Sequence, residues 1–281
     1  MNQETLQREI ETLAEVKDGT PIIRLQQVHE LAASAGCPVR EVELAALEAG
    51  VVPWRYLRNL GTAGLEGQAR LLRATVAVVG LGGLGGYVTE ALARMGVGRL
   101  ILIDGDVFEE HNLNRQLLSS EAGLGLDKVQ AAQRRVAEVN QAVEVTGHAV
   151  RLTHENLPQL LEGAEVVVDA LDRLPIRLVL QEGAQALAIP LVHGSIAGFL
   201  GQVMTIFPGD PGLRSLYAAE GDLPEQGLEA QLGTPAATPM AVAAWEAQEV
   251  VKILLGRGEL LRHRLLVMDM ESGTIEVMQL G

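Results

Sequence analysis

A run rich in β-branched residues, Thr75-Val76-Ala77-Val78-Val79, passes directly into Gly80-Leu81-Gly82-Gly83-Leu84-Gly85, and residues 85–95 then follow a helical spacing. This order of strand, glycine turn and helix constrains the chain more than any other feature, because it opens a parallel β-α-β unit. Glycines let the backbone approach a phosphate, and the helix N-terminus offers free N–H groups and a partial positive charge to the anion. The next strand candidate, 99–103, is followed by Asp104, placed 19 residues beyond Gly85, where a carboxylate can hold ribose hydroxyls. Gly80, Gly82, Gly83, Gly85 and Asp104 together predict a nucleotide site. They do not choose the nucleotide, and a nicotinamide-dependent oxidoreductase fits them equally well.

The alternation continues downstream. Strands are expected at 75–79, 99–103, 143–149, 165–169 and 190–193, with helices at 85–95, 128–140, 155–161 and 173–188 between them. A further strand is expected at 201–207, a helix at 239–255, and a closing β-hairpin from 264–270 and 274–280. The expected fold is α/β, a Rossmann-like, mostly parallel sheet with helices on both faces and a C-terminal antiparallel hairpin. Between them, 208–238 is rich in Gly, Pro and acids without periodicity, and a loop of that length in a compact domain is usually functional or mobile.

Residues 1–53 form a separate helical arm in this reading, ending at Val52-Pro53, with the main domain at 54–281. Leu6, Ile10 and Leu13 mark a first helix; Ile22, Leu25, Val28, Leu31 and Ala32 a second; Val39, Val42, Leu44, Ala45 and Leu47 a third. Ala35-Gly36-Cys37-Pro38 turns the second into the third like a helix-turn-helix. A DNA reader needs basic residues there, whereas the arm carries Arg8, Lys17, Arg24 and Arg40 against nine acidic residues. Helical packing or partner docking is the better reading.

The net charge of −14 repels phosphate backbones and anionic lipid, so nucleic acid and membrane surfaces are poor partners. No apolar run approaches the ~20 residues of a membrane span, and residues 2–11 are polar and acidic where a secretory signal is apolar. A cytoplasmic protein is expected. The single cysteine, Cys37, leaves no internal disulfide framework.

The residues after Asp104 narrow the nucleotide. In Asp104-Gly105-Asp106-Val107-Phe108-Glu109-Glu110-His111-Asn112-Leu113-Asn114-Arg115-Gln116, and then Gly125 and Lys128, a chain poor in cations supplies Arg115 and Lys128 soon after a ribose-binding acid. An NAD site has no need of them; a triphosphate does. Gly-x-Gly-Gly-Leu-Gly, the pair Asp104 and Asp106, Asn-Leu-Asn-Arg-Gln and Gly-x-x-Lys together resemble the ThiF/MoeB/HesA family, relatives of ubiquitin-activating enzymes, over residues 54–280. The resemblance implies ATP-dependent adenylation of the C-terminal glycine of a small ubiquitin-like sulfur-carrier protein of the MoaD or ThiS type, ending in Gly-Gly. It implies that residues 75–172 hold the nucleotide and 173–281 the acceptor, with Asp104 on the ribose and Asn112, Arg115 and Lys128 on the polyphosphate. Asp106 and Gln116 join the nucleotide-binding set. Asp172, in Asp169-Ala170-Leu171-Asp172-Arg173, stands where the family binds Mg²⁺; Arg173 replaces the family's usual Asn. Arg55-Tyr56-Leu57-Arg58-Asn59 resembles Arg-Tyr-x-Arg-Gln, whose second arginine enters the neighbouring subunit's site, so Arg58 is expected to act in trans within a homodimer.

Two family features are missing. Where a first zinc cysteine pair would fall, Pro211-Gly212-Leu213-Arg214-Ser215-Leu216-Tyr217 has Gly212 and Ser215, and no second pair follows, so no zinc is expected. Leu228-Glu229-Ala230-Gln231-Leu232-Gly233-Thr234 has no thiol where the family places its thioester or persulfide cysteine. The expected chemistry therefore stops at the acyl-adenylate. His193, at an apolar strand end, reads as a hydrogen-bonded core residue, and Val192-His193-Gly194-Ser195-Ile196-Ala197-Gly198 resembles the strand over which the family threads its acceptor. A tRNA-base dehydratase of the same superfamily and an NAD-dependent oxidoreductase are the alternatives, with a non-catalytic module behind them.

Overall fold

The computed structural model describes residues 3–217 and 227–280. The middle of the loop expected at 208–238, residues 218–226, lies outside them.

The apolar runs become strands because β-branched residues fill a pleated surface on both faces. From the N-terminus the elements are α1 Gln3–Leu13, β1 Glu15–Lys17, β2 Thr20–Ile23, α2 Leu25–Ala35, α3 Val39–Glu48 and β3 Val52–Pro53; a 3₁₀ turn, Trp54–Asn59, leads to α4 Leu60–Arg73. The main domain continues with β4 Thr75–Val79, α5 Gly85–Met95, β5 Arg99–Ile103, α6 Lys128–Val139, β6 Glu144–His148, α7 Leu157–Leu160, β7 Val166–Asp169, α8 Leu174–Ala186, β8 Leu191–Ala197 and β9 Leu200–Ile206. It closes with α9 Glu229–Leu232, α10 Ala237–Leu255, β10 Arg264–Asp269 and β11 Thr274–Gln279.

Eight strands form one sheet in the order β11-β10-β9-β8-β7-β4-β5-β6. Strands β6, β5, β4, β7 and β8 are parallel, while β9, β10 and β11 run antiparallel at the other edge. The mostly parallel sheet with a C-terminal hairpin is as the sequence predicts. Alternation along β4 sorts its side chains: Val76 and Val78 join Leu92, Val136 and Val250 in the core on one face, while Ala77 and Val79 join Leu157, Leu160 and Leu180 on the other. On α10, Val242, Ala243, Ala247 and Val250 lie against the sheet, so its small residues serve close helix packing.

The N-terminal unit departs from the helical arm expected of it. It contains a three-stranded sheet, β1-β2-β3, and Ile22 belongs to β2 instead of the second helix. The cause is local: Asp18 and Gly19 both have positive φ (50° and 78°), as a two-residue hairpin turn requires, and β1 pairs with β2 across them. Leu6, Ile10, Ile23, Val28, Leu31 and Val42 give this unit its own core. Helix α3 packs on α4 and ties into the main domain through Arg40, which donates to the Gly98 carbonyl at 3.1 Å and pairs with Glu144 at 3.3 Å. The basic residue that a groove-reading helix would present is thus engaged within the protein. Among the described residues no helix is long and apolar enough to cross a membrane.

Candidate nucleotide and acceptor site

The chain runs from β4 outward to β5 and β6, then returns to β7 on the other side of β4. Their carboxyl ends form the crevice where open α/β sheets bind ligands. Gly80 leaves β4 with φ +90°, and a Cβ there would stand 2.6 Å from the Ala170 carbonyl oxygen. A Cβ on Gly85 would collide with the Gly80 carbonyl. Both glycines are therefore set by backbone approach, and the loop they shape ends at the N-terminus of α5.

A cavity of about 1420 Å³ opens here. Gly80, Gly82, Gly83, Asp104, Asp106, Arg115, Gln116, Lys128 and Asp172 all border it, so the structure gathers most of the residues expected at a nucleotide site. The Asp104 carboxylate accepts N–H groups from Leu81 at 2.7 Å and Asp106 at 2.8 Å. Burial raises its pKa, with the Lys128 charge and those N–H groups opposing. Lys128, the first residue of α6, is nearly buried, its Nζ 3.7 Å from Asp106, which also pairs with Arg151 at 3.2 Å. The Arg115 guanidinium donates to the His111 carbonyl at 2.9 Å and to Asn114 at 2.7 Å; burial lowers its pKa, and the negative charge of Asp172 opposes that by favouring the ionised form. Gln116 borders the cavity but is buried, and its Oε1 has no hydrogen-bond partner.

Three expected residues do not border this cavity. Gly85 is buried behind the loop and does not border the cavity. Asn112 turns into its own loop: its Oδ1 accepts the Glu109 N–H at 3.0 Å, and its carbonyl accepts from Arg115 and Gln116. It thus frames the segment that carries Arg115. Arg58 is exposed on the 3₁₀ turn and does not border the cavity of its own chain.

The far end of the cavity lies over the β8–β9 hairpin, where Ser195, Ile196, Ala197 and Gly201 present small or apolar surface. The 228–234 segment covers it. Gly198 at the hairpin tip donates its N–H to Gly233 at 2.8 Å and accepts from the Thr238 hydroxyl at 2.8 Å, while Asn114 donates to the Thr234 carbonyl at 3.1 Å. The 211–217 segment is fastened by side chains: Gln181 accepts the Leu213 N–H at 2.7 Å and donates to Pro211 at 3.2 Å, and Arg262 pairs with Asp210 at 2.8 Å. Cys37 packs against the N-terminal core, outside the cavity, and burial raises its pKa, which keeps it a thiol at neutral pH.

No cluster of three or more His, Cys, Asp or Glu able to cage a metal occurs among the described residues. Mg²⁺ needs no such cage, since one carboxylate, phosphate oxygens and water complete its shell. Asp172, exposed at the cavity wall, fits that donor set. Arg151, Arg173 and Arg177 also border the cavity, and none of the three belongs to the ligand set expected from sequence. Arg151 follows β6 and Arg177 lies inside α8, outside any local motif.

The ThiF family model matches residues 56–281. The SAMP-activating enzyme E1 of Haloferax volcanii is 38% identical over 79% of this chain and 83% of its own length. The sulfur carrier protein adenylyltransferase of Thermus thermophilus is 38% identical over 76% of this chain and 82% of its own. The adenylyltransferase and sulfurtransferase MOCS3 of Aedes aegypti is 36% identical over 80% of this chain, which spans about half of that longer protein (52%). Among solved structures, E. coli MccB with MccA-N7isoASN aligns at TM-score 0.70 and 25% identity over 81% of this chain and 72% of its own. The microcin C7 enzyme MccB in complex with N-formylated MccA aligns at 0.70 and 21% identity, over 99% of this chain and 88% of its own, so its fold extends across the N-terminal unit. From its glycine loop to its last strand, the chain belongs to the ThiF family.

Proposed function

We propose that this protein adenylates the C-terminal glycine carboxylate of a small ubiquitin-like carrier protein, using ATP and releasing pyrophosphate. The observation that carries the reading is one continuous cavity with two ends. Lys128, Arg115 and Asp172 lie beside the glycine loop at one end, and the small residues of β8 lie at the other, under the 228–234 segment. The relatives named SAMP-activating enzyme E1 and sulfur carrier protein adenylyltransferase support it over hydride transfer or base dehydration.

A carboxylate is a poor electrophile, so it attacks the α-phosphorus of ATP and pyrophosphate departs. An acceptor carboxylate is already ionised at neutral pH, and no general base is required. Charge grows on the departing phosphates, where Arg115 and Lys128 stabilise it. Asp172 would hold a magnesium ion, which would supply further charge neutralisation at the phosphates. Asp104 receives the ribose hydroxyls. Arg58, outside its own cavity, completes the site of a partner chain in a homodimer. With Cys37 remote, the reaction stops at the acyl-adenylate. The clip of Gln181, Asp210 and Arg262 supports the 211–217 segment folding without zinc.

The test is ATP–pyrophosphate exchange with Gly-Gly-ending carrier proteins. Exchange should need the carrier's terminal glycine, fall on the order of 10²-fold in Asp172→Ala or Arg115→Ala, and return in part when Arg58→Ala and Asp172→Ala chains are mixed. Calorimetry showing tight NAD binding and none of ATP would overturn adenylation. A mixture no more active than either parent would overturn the trans role alone.

A further inference from the structure

Beneath the nucleotide end, four ionisable side chains from four elements are buried together: Asp169 of β7, Arg177 of α8, His193 of β8 and Glu246 of α10. Burying charge costs several kcal/mol per ion unless geometry and hydrogen bonds offset it, so such a cluster calls for a reason beyond filling space. The hydrogen bonds supply one. Asp169 accepts the Leu171 N–H at 3.1 Å, and Arg177 donates through Nη2 to the Leu171 carbonyl. The residue immediately before Asp172 is thus held at both its N–H and its C=O.

His193 locks the pair that does the holding. Its Nδ1 lies 2.7 Å from Asp169, so that nitrogen carries the proton and donates it. Its Nε2 is then the acceptor, 3.5 Å from Arg177 Nη1. The imidazole fills the gap between the carboxylate and the guanidinium. Gly194, next in β8, is set by the same cluster, because a side chain there would strike the Glu246 carboxyl group.

We propose that Asp169, His193 and Arg177 are positioning residues for Asp172: they fix the Leu171 backbone so that the Asp172 carboxylate faces the nucleotide phosphates and the metal bound to them. The proposal rests on Asp172 being the magnesium carboxylate. Asp169 and His193 do not border the cavity, and Arg177 acts through Leu171.

The experiment measures ATP affinity by calorimetry with Mg²⁺ and with EDTA, alongside the ligand-free melting temperature. Arg177→Lys keeps the charge but not the fork that reaches both His193 and Leu171. His193→Leu removes the link, and His193→Gln keeps a donor for Asp169. In Arg177→Lys and His193→Leu, the gain in ATP affinity that Mg²⁺ brings should fall about tenfold, as loss of a residue supporting a metal ligand typically does. Binding in EDTA should stay within about twofold on the same scale, and His193→Gln should recover most of the gain. Equal losses with and without Mg²⁺, or an unchanged gain, would overturn the positioning role. If Arg177→Lys does not fold, the two His193 variants decide. Asp172→Ala, run in parallel, separates the premise: a variant that keeps the full Mg²⁺ gain overturns the metal assignment itself, whatever the frame does.

Discussion

Two of the polar networks that the protein buries handle charge in opposite ways. At the seam between the N-terminal unit and the main domain, Glu43 of α3 accepts from the Tyr56 hydroxyl at 2.9 Å, Tyr56 accepts from Asn140 at 2.9 Å, and Arg55 donates to Asn140 while lying 3.5 Å from Glu43. One carboxylate faces one guanidinium whose side chain is 21% exposed. Beneath the nucleotide end, two carboxylates, Asp169 and Glu246, share the single guanidinium of Arg177. Burial disfavours ionisation of all three acids, so the surrounding donors decide which of them keeps its charge. Asp169, with Arg177, His193 and the Leu171 N–H, is held below the usual carboxylate range against its burial. Glu246 has no hydrogen-bond partner on either oxygen and is pushed well above it by burial and by the Asp169 charge, with Arg177 opposing. Glu43 falls between, raised to about 7 by burial, with Arg55 and Tyr56 pulling the other way. His193 is kept neutral mainly by burial, so its contact with Asp169 is a hydrogen bond and not an ion pair.

The largest effect expected from this contrast comes from removing the two guanidinium groups in turn. Arg177→Met leaves the Asp169 carboxylate buried without its counter-charge and should cost about 3–5 kcal/mol. Arg55→Met should cost roughly 1–2 kcal/mol at pH 7, because Glu43 can take up a proton when its partly exposed counter-charge is removed. Urea denaturation of both variants checks this. Equal losses would mean that exposure of the guanidinium does not set the difference.

The contrast also marks where sequence reading stops. Strand β4, the glycine loop, α5 and Asp104 lie within thirty consecutive positions (75–104), and spacing alone identifies them. Arg115 and Lys128 are visible for the same reason. The Asp169 cluster is not: its members come from β7, α8, β8 and α10 and meet only when the sheet closes. His193 reads as a hydrogen-bonded core histidine, as found, but nothing in its neighbours names Asp169 as the partner. Glu246 and Glu43 lie among apolar helix residues, where a single acid looks like a solvent-facing position. The N-terminal sheet is legible in Asp18-Gly19, a strong short hairpin signal, yet the apolar spacing of Ile22 and Leu25 favours a helix when that turn is ignored. Arg58 in trans concerns two chains, and one chain places it only outside its own cavity.

A second expectation concerns pH at the seam. Glu43 has a folded pKa of about 7 against an ordinary glutamate value of 4.5. The folded state therefore holds the proton more tightly than the unfolded chain. The stability tied to that proton is fully present below about pH 4.5 and is lost as pH rises through about 7. Across that window the wild type should lose on the order of 2–3 kcal/mol relative to Glu43→Gln. Denaturation of both proteins at pH 4.5, 6 and 7.5 reads the difference directly. A stability difference between the wild type and Glu43→Gln that does not change with pH would show that Glu43 stays in one protonation state throughout, and the seam would then resemble the sealed network after all.

The smallest effect is expected of Glu246→Gln, and it is the sharpest test of how the sealed network divides its charge. Both Glu246 oxygens are buried without partners, the Asp169 charge repels a second one, and the carboxyl group occupies the space that Gly194 of β8 leaves open. An acid in that position is neutral at pH 7, and a glutamine of nearly the same shape replaces one neutral group by another. Glu246→Gln should therefore change the unfolding free energy by about 1 kcal/mol or less, whereas Glu246→Ala, which empties the space, should cost on the order of 2–5 kcal/mol, as buried truncations do. ATP affinity in Glu246→Gln should match the wild type with and without Mg²⁺, because Asp169, His193 and Arg177 keep their hold on Leu171. A loss of several kcal/mol in Glu246→Gln would mean that Glu246 is ionised and paired with Arg177. Asp169 would then be the acid that carries the proton, and the hydrogen bond from His193 could no longer be the reason it keeps its charge.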